Sequence, residues 1–226
     1  MSRLFFYKVM YDGGGAPCAF GDVLSLAICK PQIRTTARRG DWIFGFGAQR
    51  LGEKLIYIAR VDDIAPRGEY YRDPRYSNRP DAVYEWQGHD LRWKEGALYH
   101  EPSATEHDVG LPPNYERAVV LVSNEFRYFG RNSTDHYKQE FPVLAESVGA
   151  AGRAYRVNHS QQVQSALIAL IERTWIQHPA GMILGGPHDE ATNACDLPGE
   201  ALAEDNRKTV ARDCSIAPAS RRPPHC

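Results

Sequence analysis

The chain predicts an α+β domain built on a small curved or closed β-sheet of barrel type. A short helix follows the second strand, an amphipathic helix closes the domain, and a disordered tail ends the chain. Three observations carry this expectation. Short apolar runs, several of them alternating at period two, dominate residues 4–62 and return at 118–123. Residues 161–175 instead place Val163, Leu167, Leu170, Ile171 and Trp175 on one helical stripe. All aromatic residues (8 Phe, 12 Tyr, 4 Trp) lie at or before Trp175. Beyond residue 186 the chain therefore lacks the apolar surface needed to offset its ordering entropy.

Each element follows from local chemistry. Residues 4–10 alternate and are rich in aromatics, which favours a first strand. Gly13-Gly14-Gly15-Ala16-Pro17 is a flexible loop, and residues 23–29 read as a second strand. Pro31 suits the first turn of a helix and Gly40 suits its end, giving a short helix over residues 31–39. On that helix Ile33 and Ala37 share one face, while Lys30, Arg34 and Arg38 step along another at i, i+4 spacing. Gly40-Asp41 turns the chain into a strand at 41–47, and another follows at 54–62. Residues 66–116 are rich in Pro, Gly, Asp and Arg, with weak strands at 82–86 and 98–101. A poorly periodic middle of this kind reads as a binding loop or an insertion. Residues 118–123 form a core strand, and Ser160 caps the final helix. The organisation expected is a domain over residues 1–185 and a low-complexity tail over 186–226, with at most a loose helix at 201–211.

Composition narrows the function. Formal net charge is −1, so overall electrostatics select no partner. Residues 26–60, however, hold seven Lys or Arg against two acids, a local net of +5 that makes a usable phosphate footprint. No apolar run reaches the roughly 18–20 residues of a membrane span, so no membrane partner is expected. The N-terminus reads as a strand and not as a signal peptide. Five Cys in an odd count without paired spacing argue against a disulfide framework and for a reducing cytoplasm. The eight His show no metal-ligand spacing, and no phosphate-loop, dinucleotide, nucleophile-elbow or zinc-deaminase pattern occurs. Neither a metal nor a cofactor is expected.

The strings SLAICKPQIRTTARRGDWIFGFG, IYIARVDD and VLVSNEFRYFGRN resemble the second nucleotide-modification-associated domain family, over roughly residues 3–175. That resemblance implies a bacterial or phage DNA modification or restriction context, with protein partners from such a system. More distantly, a GD turn feeding one strand before an IARV-like strand is similar to small barrels of the PUA, ASCH, EVE and YTH type. Those barrels commonly bind a modified or extruded base in an aromatic pocket.

Candidate residues follow from both arguments. Lys30, Arg34 and Arg38 are the expected phosphate ligands, because a guanidinium fork fits phosphate oxygens; a solubilising helix face is the bland alternative. The expected base pocket combines Trp42 and Phe46 with Tyr57, Tyr71 and Tyr128, against the alternative of a core stripe. Gly45 and Gly47 would leave room for a ligand on the opposite face. Tyr128 belongs to NEFRYFGR, where a chain leaving a strand places side chains at a cavity mouth. Cys29 reads as a buried cysteine at a strand end, with no acid or base visible beside it, and Glu106-His107-Asp108 reads as a surface turn. The favoured function is a non-enzymatic module that recognises a modified or extruded base in nucleic acid, DNA first, or a modified nucleotide. One alternative is an enzyme of base hypermodification using Asp41, Cys29, Glu125 or a loop His. The other is a protein-binding scaffold that uses residues 66–116.

Overall fold

The computed structural model describes residues 2–179 and 182–191. Its order is β1 (Leu4–Val9), β2 (Cys18–Phe20), β3 (Val23–Leu26), α1 (Pro31–Thr36), β4 (Trp42–Gly47), β5 (Leu55–Arg60) and β6 (Asp63–Ala65). There follow β7 (Tyr84–Gln87), β8 (Asp90–Trp93), α2 (Thr105–Val109), β9 (Val120–Ser123), β10 (Glu125–Tyr128), α3 (Tyr137–Glu140), α4 (Pro142–Gly149) and α5 (Gln161–Gln177).

The α+β class holds, but the described strands do not close into one barrel. They form a four-stranded sheet in the order β1-β4-β5-β10, a second in the order β2-β3-β9-β6, and the hairpin β7-β8. In the first sheet β1 runs parallel to β4, and the other pairs are antiparallel. The chain passes between the two large sheets at two tight corners, Val61-Asp62 and Asn124. Asp62 clamps both, because its Oδ2 accepts from the backbone N–H of Asn124 at 2.7 Å and of Glu125 at 3.1 Å. A continuous barrel ladder is interrupted there, so the strand pattern expected of a barrel folds as two sheets around a shared core.

The first sheet is buried on both faces. Toward the second sheet it presents Phe5, Tyr7, Val9, Ile43 and Ala59, which pack with Leu24, Leu26, Leu121 and, from α1, Ile33. Toward the helices it presents Leu4, Phe6, Phe44, Phe46 and Ile58, which pack with Leu144 and Val148 of α4 and with Val163, Leu167 and Leu170 of α5. A strand covered on both sides reads as a nearly continuous apolar run, which explains why β1 and β4 have so few polar residues. Ser160 caps α5 as expected, accepting from the Val163 N–H at 3.3 Å.

Residues 66–116 build a satellite. The β7-β8 hairpin, its neighbouring loops and α2 enclose Ile28, Val83, Tyr84, Leu91, Tyr99, Val109 and Tyr115. The weak strand expected at 82–86 is observed as β7, whereas residues 98–101 form no strand. Residues 186–189, assigned to the tail by composition, are tied to the domain. Gly186 O accepts from Arg131 N at 2.8 Å, and His188 N and Asp189 N donate to Asp12. The remainder of the expected tail, including the loose helix at 201–211, lies outside the described residues. Among the described residues no helix is long and apolar enough to cross a membrane.

Gly45 has its role in the core, where a Cβ would meet the Tyr57 ring at 2.2 Å and Val9 Cγ2 at 2.9 Å. A Cβ on Gly47 would meet Leu51 Cβ at 2.6 Å. The space beside these glycines is therefore filled by protein, and the expected ligand gap on that face is absent. Gly45→Ala should destabilise the fold by roughly 1–3 kcal/mol through overpacking. Chemical denaturation checks this, and an unchanged midpoint would contradict it.

Candidate functional site

The expected basic stripe does not form. α1 ends at Thr36, and Ala37 is already extended, with ψ 152°. Arg38 therefore leaves the helix, and Lys30 sits at its N-cap in a left-handed conformation, φ 42°. Arg34 points inward and is 1% exposed. Its Nε donates to Cys29 O at 2.7 Å, its Nη1 to Arg117 O at 2.7 Å and Val119 O at 2.6 Å, and its Nη2 to Asp108 O at 2.8 Å. A guanidinium committed to four main-chain oxygens is a structural clasp and offers no face to a phosphate. Arg38 remains exposed, and the Lys30 ammonium lies 5.1 Å from the centre of the Tyr7 ring.

The expected base pocket is also dispersed. Phe46 is fully buried against Phe44 and Tyr137, with ring centres 6.4 and 4.9 Å apart. Tyr57 lies on the opposite face and donates to Tyr7 Oη at 3.1 Å. Tyr128 is buried and donates to Asp12 Oδ1 at 2.6 Å. Tyr71 is half-buried in the satellite, donating to Ala27 O at 3.3 Å. Trp42 is half-buried at the start of β4, an interior strand of the first sheet, edge-on to Trp175 at 5.1 Å. These five rings divide between three packing clusters, so they do not surround a single nucleoside-sized hollow.

What the structure does bring together is a line of three residues from distant segments. Cys29 Sγ lies 3.3 Å from His100 Nε2, and His100 Nδ1 faces Asp108 Oδ2 in a short contact. Asp108 Oδ1 accepts from the Cys29 backbone N–H at 3.0 Å, and Oδ2 also accepts from the Tyr84 hydroxyl at 2.8 Å. Burial pushes the Asp108 carboxyl up, but hydrogen bonding and charge from His100, the Arg34 guanidinium and the Tyr84 hydroxyl outweigh it and leave it below its ordinary value. An ionised carboxylate can only accept, so it fixes a proton on His100 Nδ1 and turns Nε2 toward sulfur. Cys29 and His100 both adopt left-handed backbone conformations, with φ 56° and 59°. Each such residue costs on the order of 1–3 kcal/mol unless its surroundings enforce it. Arg34 and Asp108 provide that enforcement by gripping the main chain on both sides of Cys29.

Cys29 is also disulfide-bonded, contrary to the expectation drawn from cysteine count. Cys18, by contrast, is a buried free thiol whose pKa burial pushes up. Sequence reading missed His100 and Asp108. They lie 71 and 79 residues from Cys29, and the weakly patterned segment that carries them offered only the Glu106-His107-Asp108 string as a signal.

A second feature lies at the other side of the first sheet. A cleft of about 340 Å³ opens between the turn after β10, α3 and the C-terminal end of α5. Phe129 and Tyr137 line it with Asn132, His136, Arg173 and Gln177. Arg173 pairs with Glu140, and the Asn132 amide donates to Leu184 O at 2.7 Å. The NEFRYFGR string thus does reach a cavity mouth, but through Phe129. Tyr128, one residue earlier on the strand, points to the opposite face.

Two outcomes test this geometry. Arg34→Lys should cost about 3–5 kcal/mol of stability, since an ammonium cannot replace the planar fork and leaves buried carbonyls unpaired; equilibrium unfolding reads it. Asp108 has a folded-state pKa below its unfolded value. It therefore stabilises the fold above about pH 4 and loses that contribution as pH falls through the folded value. Asp108→Asn should accordingly be less stable than the parent at pH 7, with the deficit shrinking below about pH 4.

A family model described as nucleotide modification associated domain 2 matches residues 1–193. No curated protein and no solved structure matches the chain.

Proposed function

The chain belongs to the nucleotide modification associated domain 2 family, and from that premise we propose that it binds a nucleobase, modified or extruded, on nucleic acid or a nucleotide. The DNA modification context comes from the family, and DNA is the first polymer to test. The observation that supports the reading is the cleft beside Phe129. Its volume lies within the range of small-molecule sites, about 300–1,000 Å³. It also combines what a base requires. Phe129 supplies an aromatic surface, Asn132 and Gln177 supply amides able to pair with exocyclic groups, and Arg173 supplies a cation near the rim.

Selectivity would come from the amides and from shape, because stacking alone accepts every base. The exposed Arg38 is left as a candidate backbone contact, while Arg34 serves the fold. In this reading Trp42 packs β4 against Trp175 of α5, and the base-stacking role passes to Phe129.

Titration of the full chain with modified and unmodified oligonucleotides, and with mononucleotides, at two salt concentrations tests the proposal. Phe129→Ala should weaken binding by about 1–3 kcal/mol, the usual contribution of one stacked base. Gln177→Ala should reduce discrimination between bases while leaving the salt dependence unchanged. Negligible affinity for every probe, or full affinity in a folded Phe129→Ala variant, would end the idea.

A further inference from the structure

We propose that the cleft beside Phe129 selects amino-type bases, cytosine or adenine, over the keto-type bases thymine, uracil and guanine. A fixed acceptor on Asn132 sets the preference, and an unpartnered hydroxyl on Thr174 adds a second bond. The inference rests on the base-binding reading of this cleft and adds to it the class of base bound.

Asn132 lies in the turn after β10, and its Nδ2 donates to Leu184 O at 2.7 Å. That carbonyl is itself held in place. Leu184 N donates to Tyr128 O and Tyr128 N to Met182 O, both at 2.8 Å, and Ile183 forms a parallel bridge with Tyr128. Gly185 lets the Asn132 side chain lie close against this segment, since a Cβ there would sit 3.1 Å from Asn132 Cγ. Turning the amide over would set its Oδ1 against the Leu184 carbonyl, two acceptors face to face. The nitrogen is therefore committed to protein, and Oδ1, which accepts from no group among the described residues, is the end left for a ligand. Thr174 belongs to α5, is 4% exposed, and lines the cleft beside Leu55 and Leu170. Its hydroxyl makes no hydrogen bond among the described residues, not even to a carbonyl of the preceding turn. No fully buried side-chain oxygen or nitrogen lacks a partner among those residues, so this hydroxyl keeps access to open space, and the cleft is the space Thr174 lines. A polar group this deep in apolar surroundings, unpaired by protein, is a place for a polar atom of a ligand. The Phe129 ring is steadied by His178, edge-on with ring centres 5.5 Å apart, so the stacking surface is fixed as well.

The pairing edges of the bases decide between the classes. Cytosine and adenine each carry an exocyclic amine beside a ring nitrogen that accepts. Thymine, uracil and guanine carry a keto oxygen beside a ring N–H. An amine can donate to Asn132 Oδ1, whereas a keto oxygen there meets a second acceptor and both are left unpaired. A site whose polar groups are fixed rejects the edge that cannot pair with them. The Thr174 hydroxyl donates or accepts as required, so it serves both classes and adds affinity without choosing. Asn132 cannot adapt in this way, because turning its amide gives up the bond to Leu184. The sign of the preference therefore comes from the orientation of one amide, and that orientation is set by the segment beside β10.

The test is calorimetric titration of the full chain with the four deoxynucleoside monophosphates and with single-stranded oligo-dC, oligo-dA and oligo-dT. At least one amino-type probe should bind about tenfold or more tightly than its keto-type counterparts, and the dC and dA arms show which base is preferred. Asn132→Leu should bring that ratio to within about threefold of unity. Thr174→Val should weaken every probe that binds by a similar factor, about fivefold, and leave the unfolding midpoint unchanged or raised, because its hydroxyl has no protein partner to lose. A lowered midpoint in Thr174→Val overturns the assignment of that hydroxyl to a ligand. Equal affinity for both classes, or tighter binding of the keto-type probes, overturns the preference and leaves base binding itself standing. Negligible affinity for every probe overturns both. The comparison of probes on the parent chain needs no variant, so it decides the matter even if a substitution disturbs folding.

Discussion

The buried guanidinium of Arg34 is the interaction on which the arrangement of the domain depends. Four carbonyl oxygens, from Cys29, Asp108, Arg117 and Val119, converge on it from the segment before α1, from α2 and from the approach to β9. An isolated buried charge would be costly, and burial does pull Arg34 below its ordinary value. The cost is offset because each donor meets an oxygen that would otherwise be buried without a partner. Asp108, whose Oδ1 lies 4.0 Å from Nη2, supplies the compensating charge. The clasp ties the segment carrying Asp108 to the main chain beside Cys29.

The fold uses the same device once more. Arg79 donates to Phe20 O, Cys18 O and Ser25 Oγ at 2.9, 2.8 and 2.7 Å, and Asp81 accepts from Tyr70 at 2.8 Å. Both clasps attach the loop-rich middle of the chain to the second sheet. Long irregular segments rarely bury enough apolar surface to hold themselves in place. Here directional bonds to backbone oxygens add to modest aromatic clusters, and the segment becomes an ordered wall.

The two candidate sites lie on different parts of this frame and ask for different chemistry. The cleft beside Phe129 forms where α3 and the end of α5 meet the turn after β10, and it offers a ring, amides and a cation. The Cys29 line forms where α1, α2 and the satellite meet, and it offers a sulfur, an imidazole and a carboxylate. Strain is concentrated at the second of these, where Cys29, Lys30 and His100 all hold positive φ angles. Among the strands and helices around it, backbone geometry is ordinary.

Local pattern determined much of the frame. Short apolar runs placed β1, β4, β5 and β9, and a 3.6-residue stripe with Ser160 as its cap placed α5, because such runs, helical period and capping are properties of neighbouring residues. Pro31 marked the start of α1 for the same reason. The family strings likewise identified the nucleotide-modification association. Tertiary structure alone decided which side chains became sites. Arg34 looks like a surface cation by spacing, but α1 stops at Thr36 and turns it inward. Trp42 and Phe46 alternate along β4 as a pocket wall would, yet the sheet is covered on both faces, so they pack into one core while Tyr57 and Tyr128 pack into the other. Cys29, His100 and Asp108 meet only because chain segments far apart in sequence fold back on one another. No local period encodes such a meeting, since it depends on where distant backbone carbonyls and one guanidinium come to rest.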